Sequence, residues 1–254
     1  MGKVWLVGAG PGAPDLLTLR AARLLETADI VFHDALVHPE TLALARRARF
    51  VDVGKRYGKV STEQRFINRA LVEAARTHEN VVRLKGGDPM IFGRAQEEIE
   101  ALGDAGIECE VVPGITAALA AAASTKASLT RRGIARSVVF LTPRVGRDEA
   151  PSSWVEAARG ADSIALYMAA GAAREIAEAL IAAGKPASLP AIVVESATLP
   201  EERRLATTLE ALRVGSLPRA AGPVVLLVGE AFADALAITE TLPHLPLKTA
   251  SKRS

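Results

Sequence analysis

Hydrophobic and polar positions alternate along the chain between two periods. Lys3 to Val7 is a short apolar run that stops at Gly8-Ala9-Gly10-Pro11-Gly12, and from Asp15 to Leu25 leucines return at helical spacing. That predicts a strand, a tight turn and a helix. The pattern recurs with a strand over Ile30 to His33, a helix over Pro39 to Arg47, a long helix over Ser61 to Thr77 and a strand over Val81 to Leu84. A helix over Arg94 to Ala105 is ended by Gly106, and a strand over Glu108 to Val112 is closed by Pro113-Gly114. Such alternation predicts a largely parallel sheet with helices on its faces.

An alanine-rich helix follows, and then a second alternating series begins. Its strands fall near Ser137 to Leu141, Ile164 to Tyr167, Ala191 to Glu195 and Val224 to Val228, with helices near Trp154, Ala172 to Ala183 and Leu209 between them. The fold class expected is therefore α/β, in two domains. An N-terminal α/β domain would span 1–114 and a C-terminal one 115–242, with a flexible tail over 243–254, where prolines and basic residues show no periodicity. Two lobes would flank a cleft, a frequent place for a ligand.

Composition narrows the class. With 254 residues, 49% hydrophobic and 24% charged, the chain has the balance of a soluble globular protein. Its longest apolar stretch, about Ile115 to Ala123, is far below the roughly 20 residues of a transmembrane helix. The N-terminus lacks a signal peptide's apolar core, so a cytoplasmic protein is expected. The only cysteine, Cys109, alternates with Ile107 and Val111 and reads as core. His33, His38, His78 and His244 share no spacing, so no metal site is expected.

Net charge is only +2, from 31 basic and 29 acidic residues, which argues against a nucleic-acid-coating protein. Its distribution is uneven, because no Asp or Glu stands between Val111 and Arg147, where Lys126, Arg131, Arg132, Arg136, Arg144 and Arg147 fall. This stretch reads either as an anion-binding region or as a solvated basic edge paired with acids from elsewhere in the fold. RNA binding would also use it, but aromatics are only 4%, too few for single-strand stacking.

Two glycine clusters carry candidate chemistry. Gly8-Ala9-Gly10-Pro11-Gly12-Ala13 satisfies a dinucleotide fingerprint in form, and Asp34 ends the second strand, where such a fold places a ribose-binding acid. A nicotinamide-dependent oxidoreductase is thus one alternative. A pyrophosphate, however, is cradled by backbone N–H groups, and Pro11 and Pro14 have none. The turn suits a ligand without phosphate. The second cluster, Arg83-Leu84-Lys85-Gly86-Gly87-Asp88-Pro89, again follows a strand; its glycines admit close approach of a ligand and Asp88 offers an acceptor for a hydroxyl or amine. A simple turn into a helix would look the same.

Taken in order, Val7-Gly8-Ala9-Gly10-Pro11-Gly12-Ala13-Pro14-Asp15-Leu16-Leu17-Thr18-Leu19, Val53-Gly54-Lys55-Arg56, Val82-Arg83-Leu84-Lys85-Gly86-Gly87-Asp88-Pro89 and Val112-Pro113-Gly114-Ile115-Thr116-Ala117 resemble successive motifs of the tetrapyrrole methylase family. The resemblance extends to about Ala233. It implies two α/β domains with a cofactor and substrate trough between them, a homodimer, and S-adenosylmethionine as methyl donor, with S-adenosylhomocysteine as product. The implied reaction methylates uroporphyrinogen III at two ring carbons, C2 and C7, giving precorrin-2 for sirohaem or cobalamin synthesis. A methylase acting on a later corrinoid precursor is the sister alternative. Neither a membrane nor a nucleic acid is implied as partner.

Carried over by position, the family's cofactor contacts fall on Pro11, Gly86, Gly87, Asp88, Ile91, Thr116, Ala117, Met168 and Ala197. Met168, closing a strand, reads equally as core. Asp34 matches the family's proton acceptor and Lys55 its proton donor, with Arg56 a rival to Lys55 and substrate binding an alternative role for either. The substrate's carboxylates suit the guanidinium forks of Arg131 and Arg132. The chain departs from the family pattern at Met90, at Ala95-Gln96 and most at residues 124–132, where a proline is lost and Lys126 and Arg131 add charge.

Overall fold

A computed structural model describes residues 2–54, 64–144, 152–216, 220–237 and 248–249. The chain divides into two compact units, Met1–Ala117 and Ala118–Ser254.

The first unit contains β1 (Lys3–Gly8), α1 (Leu19–Thr27), β2 (Ile30–His33), α2 (Pro39–Leu42), β3 (Arg49–Asp52), α3 (Gln64–Thr77), β4 (Asn80–Lys85), α4 (Ala95–Asp104) and β5 (Cys109–Val112). The strands form one five-stranded sheet in the order β3-β2-β4-β1-β5, and every neighbouring pair is parallel. Strands buried on both faces need apolar residues at successive positions, and β1 and β2 supply them, whereas β4 also buries Arg83 and Lys85. On one face Val4, Leu6, Ile30, Phe32 and Val81 pack with Ile67 and Leu71 of α3 and Leu102 of α4. On the other, Val7, Val31, Val82 and Leu84 pack with Ala21 and Leu25 of α1.

Three local features differ from the sequence-based reading. No helix starts at Asp15: Pro14–Leu16 make a short 3-10 turn, and α1 begins at Leu19 behind its own cap, where Thr18 Oγ1 accepts the Ala21 N–H at 3.1 Å. Pro14 explains the break, since it holds Ala13 in the extended region and has no N–H to donate. Second, α2 stops at Leu42 and the chain re-enters the sheet as β3, which was not expected. Third, the first part of the long helix expected from Ser61 lies outside the described residues, which resume with α3 at Gln64.

The second unit contains α5 (Ala117–Ser124, entered from the first), β6 (Val138–Leu141), α6 (Trp154–Arg159), β7 (Ser163–Tyr167), α7 (Ala173–Ala182), β8 (Pro190–Glu195), β9 (Arg203–Thr208), α8 (Leu209–Val214), β10 (Gly215–Ser216), β11 (Val224–Gly229), α9 (Ala233–Ala237) and β12 (Lys248–Thr249). Its main sheet runs β6-β7-β11-β8-β9. Only β6 and β7 are parallel neighbours; β11 is antiparallel to both β7 and β8, and β8 to β9. Ile164, Leu166, Val193 and Leu226 of the sheet pack with Ile176 and Leu180 of α7 and Leu209 of α8. Within residues 243–254, Lys248 and Thr249 pair with Ser216 and Gly215.

Candidate functional site

In a parallel sheet, ligands bind beyond the carboxyl ends of the strands. Six of the candidate positions of the first unit lie in loops that leave the ends of β1, β4 and β5, which are neighbours in the sheet. Pro11 follows β1, Gly86, Gly87, Asp88 and Ile91 follow β4, and Thr116 follows β5, with Ala117 opening α5. Asp34 stands one residue past β2, on the far side of β4.

The three loops are tied by backbone contacts that only small residues permit. Gly10 and Gly87 exchange hydrogen bonds in both directions, the Gly87 N–H to Gly10 O at 2.7 Å and the Gly10 N–H to Gly87 O at 3.1 Å. A Cβ on Gly8 would lie 2.6 Å from Gly114 Cα, and one on Gly114 would lie 2.3 Å from Gly87 O. Asp88 closes the arrangement: Oδ1 accepts the Met90 N–H at 2.8 Å and Oδ2 accepts the Gly114 N–H at 2.9 Å. Its carboxylate therefore fixes the β4 and β5 loops to each other, a task the sequence alone did not reveal. The result is a cradle walled by backbone rather than side chains, which suits a ligand held by shape and a few polar contacts. The helix N-terminus that a pyrophosphate would need is displaced to Leu19 and already capped by Thr18.

Beneath the loops lies a group of charges. Arg83 and Lys85 share one face of β4 and meet Glu98, which occupies the buried stripe of α4 with Ala95 and Leu102. Arg83 Nε donates to Glu98 Oε1 at 3.0 Å, Lys85 Nζ donates to Glu98 Oε2 at 2.9 Å, and Arg83 Nη2 donates to Asp34 Oδ1 at 2.5 Å. Burial pushes the Lys85 ammonium below its ordinary pKa, and the Arg83 charge beside it adds to the effect. The sequence carries a signal for this group: cations alternating with Val82 and Leu84 inside a central strand require buried carboxylates. Lys55 and Arg56 lie outside the described residues.

In the second unit, β7 and β8 flank β11 and finish at the same end of the sheet. Met168 follows β7 and Ala197 follows β8, so the fold brings these two candidates to one end. Met168 is 42% exposed with φ +56°, so its side chain is not core. Ser196 and Thr198, on either side of the buried Ala197, also have positive φ, at +52° and +72°. Left-handed backbone in non-glycine residues costs about 1–3 kcal/mol each and clusters at functional sites. Arg131 and Arg132 are placed elsewhere. They stand in the turn ahead of β6, at the end where β6 and β7 start, opposite Met168 and Ala197. Arg131 pairs with Asp234 at 2.9 Å, so the basic stretch is partly matched by an acid from α9. Arg132 is exposed and has no ion pair with a described residue.

No helix among the described residues is long and apolar enough to cross a membrane, and no cluster of His, Cys, Asp and Glu among them could hold a metal.

Two α/β units, the first presenting glycine-walled loops at the ends of parallel strands, define an α/β protein built to hold a ligand beyond its strand ends. Residues 3–213 match the profile of the Tetrapyrrole (Corrin/Porphyrin) Methylases, and the chain belongs to that family. It is 46% identical to uroporphyrinogen-III C-methyltransferase of Pseudomonas aeruginosa over 92% of this chain and 95% of that protein. It is also 46% identical to the protein of the same name from Paracoccus denitrificans, over 92% of this chain and 83% of that one. The crystal structure of uroporphyrin-III C-methyl transferase from Thermus thermophilus with S-adenyl homocysteine superposes with a TM-score of 0.80 at 38% identity, covering 92% of this chain and all of that one. These likenesses leave the nicotinamide alternative without support.

Proposed function

We propose that the protein transfers methyl groups from S-adenosylmethionine to C2 and C7 of uroporphyrinogen III, giving precorrin-2 for sirohaem or cobalamin synthesis. One observation carries this reading: the likeness to the Pseudomonas aeruginosa enzyme runs along 92% of this chain and 95% of that one, so it spans both units and not a motif alone. The cofactor supplies an electrophilic methyl group on sulfur. A bond forms from that methyl to a ring carbon, the bond to sulfur breaks, and a proton leaves the macrocycle.

The protein's tasks are alignment and proton management. In this reading Pro11, Gly86, Gly87, Asp88, Ile91, Thr116, Ala117, Met168 and Ala197 contact the cofactor, with Asp88 acting chiefly by holding Gly114 and Met90 in place. Asp34 takes the departing proton, one for each methyl transferred, and Lys55, which matches the family's proton donor, offers its N–H as a hydrogen bond to the macrocycle without net transfer. Arg132 and, by exchanging its partner Asp234, Arg131 meet carboxylates at the periphery of the substrate, away from the reacting carbon, since they stand at the other end of the sheet from Met168 and Ala197. The protein works as a homodimer in the cytoplasm.

Incubating the purified protein with S-adenosylmethionine and uroporphyrinogen III under anaerobic conditions tests the reading, with a product two methyl groups heavier as the expected result. The departure of residues 124–132 from the family pattern favours one second reading, a methylase of a later corrinoid precursor. Turnover of a precorrin with none of uroporphyrinogen III would establish that instead.

A further inference from the structure

We infer that Arg83 and Glu98 are positioning residues for methyl transfer, holding the carboxylate of Asp34 with one oxygen pinned and the other without a partner among the described residues. The inference rests on the reading of Asp34 as proton acceptor.

The network has the form of a bracket. Glu98 is anchored on three sides: Oε1 accepts from Arg83 Nε at 3.0 Å and from Gln64 Nε2 at 3.1 Å, and Oε2 accepts from Lys85 Nζ at 2.9 Å. Arg83 in turn uses each of its three nitrogens, Nε on Glu98, Nη1 on Leu84 O at 3.1 Å and Nη2 on Asp34 Oδ1. A planar guanidinium held at three corners has no rotation left. The backbone fixes the other side of the contact, because the Asp34 N–H donates to Leu84 O at 3.3 Å and Asp34 O accepts the Val37 N–H at 3.2 Å. Asp34 Oδ2 has no partner among the described residues.

Burial runs in one direction along this chain of contacts. The side chains of Glu98, Lys85 and Arg83 are 0%, 3% and 3% exposed, whereas that of Asp34 is 30% exposed. Buried ion pairs are a poor source of stability compared with apolar packing of equal volume. Two cations balanced against two carboxylates, buried at one end and open at the ligand-facing end of β2, deliver geometry instead. Glu98 reaches Asp34 only through Arg83, so it touches no substrate in this scheme.

The test is a cycle of substitutions in the full-length protein, with kcat and KM measured on uroporphyrinogen III, binding titrated with S-adenosylhomocysteine, and folding checked by cooperative thermal melting. Arg83→Lys keeps the charge but loses the fork; kcat should fall on the order of 100-fold while S-adenosylhomocysteine affinity stays within about twofold. Asp34→Asn should fall by a similar factor. In the Asp34→Asn background, Arg83→Lys should cost less than about threefold more, since its target is gone. A folded Arg83→Lys protein with wild-type kcat, or losses that multiply in the double variant, would overturn the inference. Wild-type kcat in Asp34→Asn would instead remove Asp34 from the reaction, and this inference with it. Should Arg83→Lys fail to fold, Glu98→Gln takes its place in the same cycle, with the same non-additivity expected and multiplied losses again decisive against it.

Discussion

At the scale of single residues, the site depends on atoms that are not there. Gly8, Gly87 and Gly114 let three strand-end loops touch backbone to backbone, and a Cβ on Gly114 would stand 2.3 Å from Gly87 O and 2.8 Å from Gly8 Cα. No side-chain rotation relieves contacts of that kind, so the loops themselves must part. Gly114→Ala should cost about 1–3 kcal/mol in urea unfolding, with S-adenosylhomocysteine affinity lowered in titration; unchanged affinity would separate this contact from the cofactor site. Asp88→Ala should act on the same joint by freeing the Met90 and Gly114 N–H groups. Cys109 is the opposite case, a reactive group made inert by its surroundings. Burial, helped by the charge of Glu98, pushes its thiol up to about 11. At pH 8 roughly 0.1% would be thiolate against about a quarter for an ordinary cysteine, so alkylation by iodoacetamide should be on the order of 100-fold slower than in the denatured chain. Equal rates would show that the thiol is not shielded.

At the scale of elements, what was legible followed from burial. β1, β2 and the central strands of the second sheet announced themselves because strands covered on both faces carry apolar runs; β4 did so despite Arg83 and Lys85, and the edge strand β5 despite Glu110, through the Pro113-Gly114 that closes it. β3 and β9 did not, and both are edge strands. Arg49-Phe50-Val51-Asp52 and Arg203-Arg204-Leu205-Ala206-Thr207-Thr208 are too polar and too short of apolar neighbours to stand out from a loop. Strand direction in the second sheet was equally hidden, since alternation of helices and strands does not report that β11 enters between β7 and β8 in the opposite sense. The glycine clusters and Asp34 stand out in the sequence as motifs, whereas Glu98 does not, because its contacts to Arg83 and Lys85 depend on the register that sets α4 over β4. Buried Glu195 shows the same long-range dependence. Its Oε1 accepts the Ala221 and Gly222 N–H groups at 2.6 and 2.9 Å and its Oε2 pairs with Arg203, joining β8, β9 and the lead-in to β11. Glu195→Ala strands these donors, and a loss of about 2–3 kcal/mol is expected, read as a lower urea midpoint at unchanged slope. A loss below that of an ordinary surface substitution would mean that water replaces the carboxylate.

At the scale of the whole molecule, charge is close to balanced in sum and unbalanced in place. A net +2 gives little general attraction for anions, while the acid-free stretch from Val111 to Arg147 gathers Lys126, Arg131, Arg132 and Arg136 along one segment of the second unit. Part of that charge is already matched, Arg131 by Asp234. On the proposed function, what remains would meet a substrate rich in carboxylates through exposed groups, and such interactions are screened as the Debye length falls from about 10 Å at 0.1 M salt to about 3 Å at 1 M. The cradle in the first unit is walled by backbone, and a cofactor held there as proposed would be bound by short contacts and shape, which salt does not weaken. The two ligands should therefore respond differently to ionic strength. Raising sodium chloride from 0.1 to 1 M should increase KM for uroporphyrinogen III roughly fivefold or more while S-adenosylhomocysteine affinity changes less than about twofold. Arg132→Ala should start from a higher KM and show a flatter dependence, because it lacks one of the screened contacts, whereas Lys185→Ala, a cation bonded to Ala161 O on the α7 side of the sheet, should keep the wild-type slope. A KM for uroporphyrinogen III that is indifferent to salt, or an Arg132→Ala protein with the wild-type slope, would remove the basic segment from substrate recognition and leave it a solvated edge.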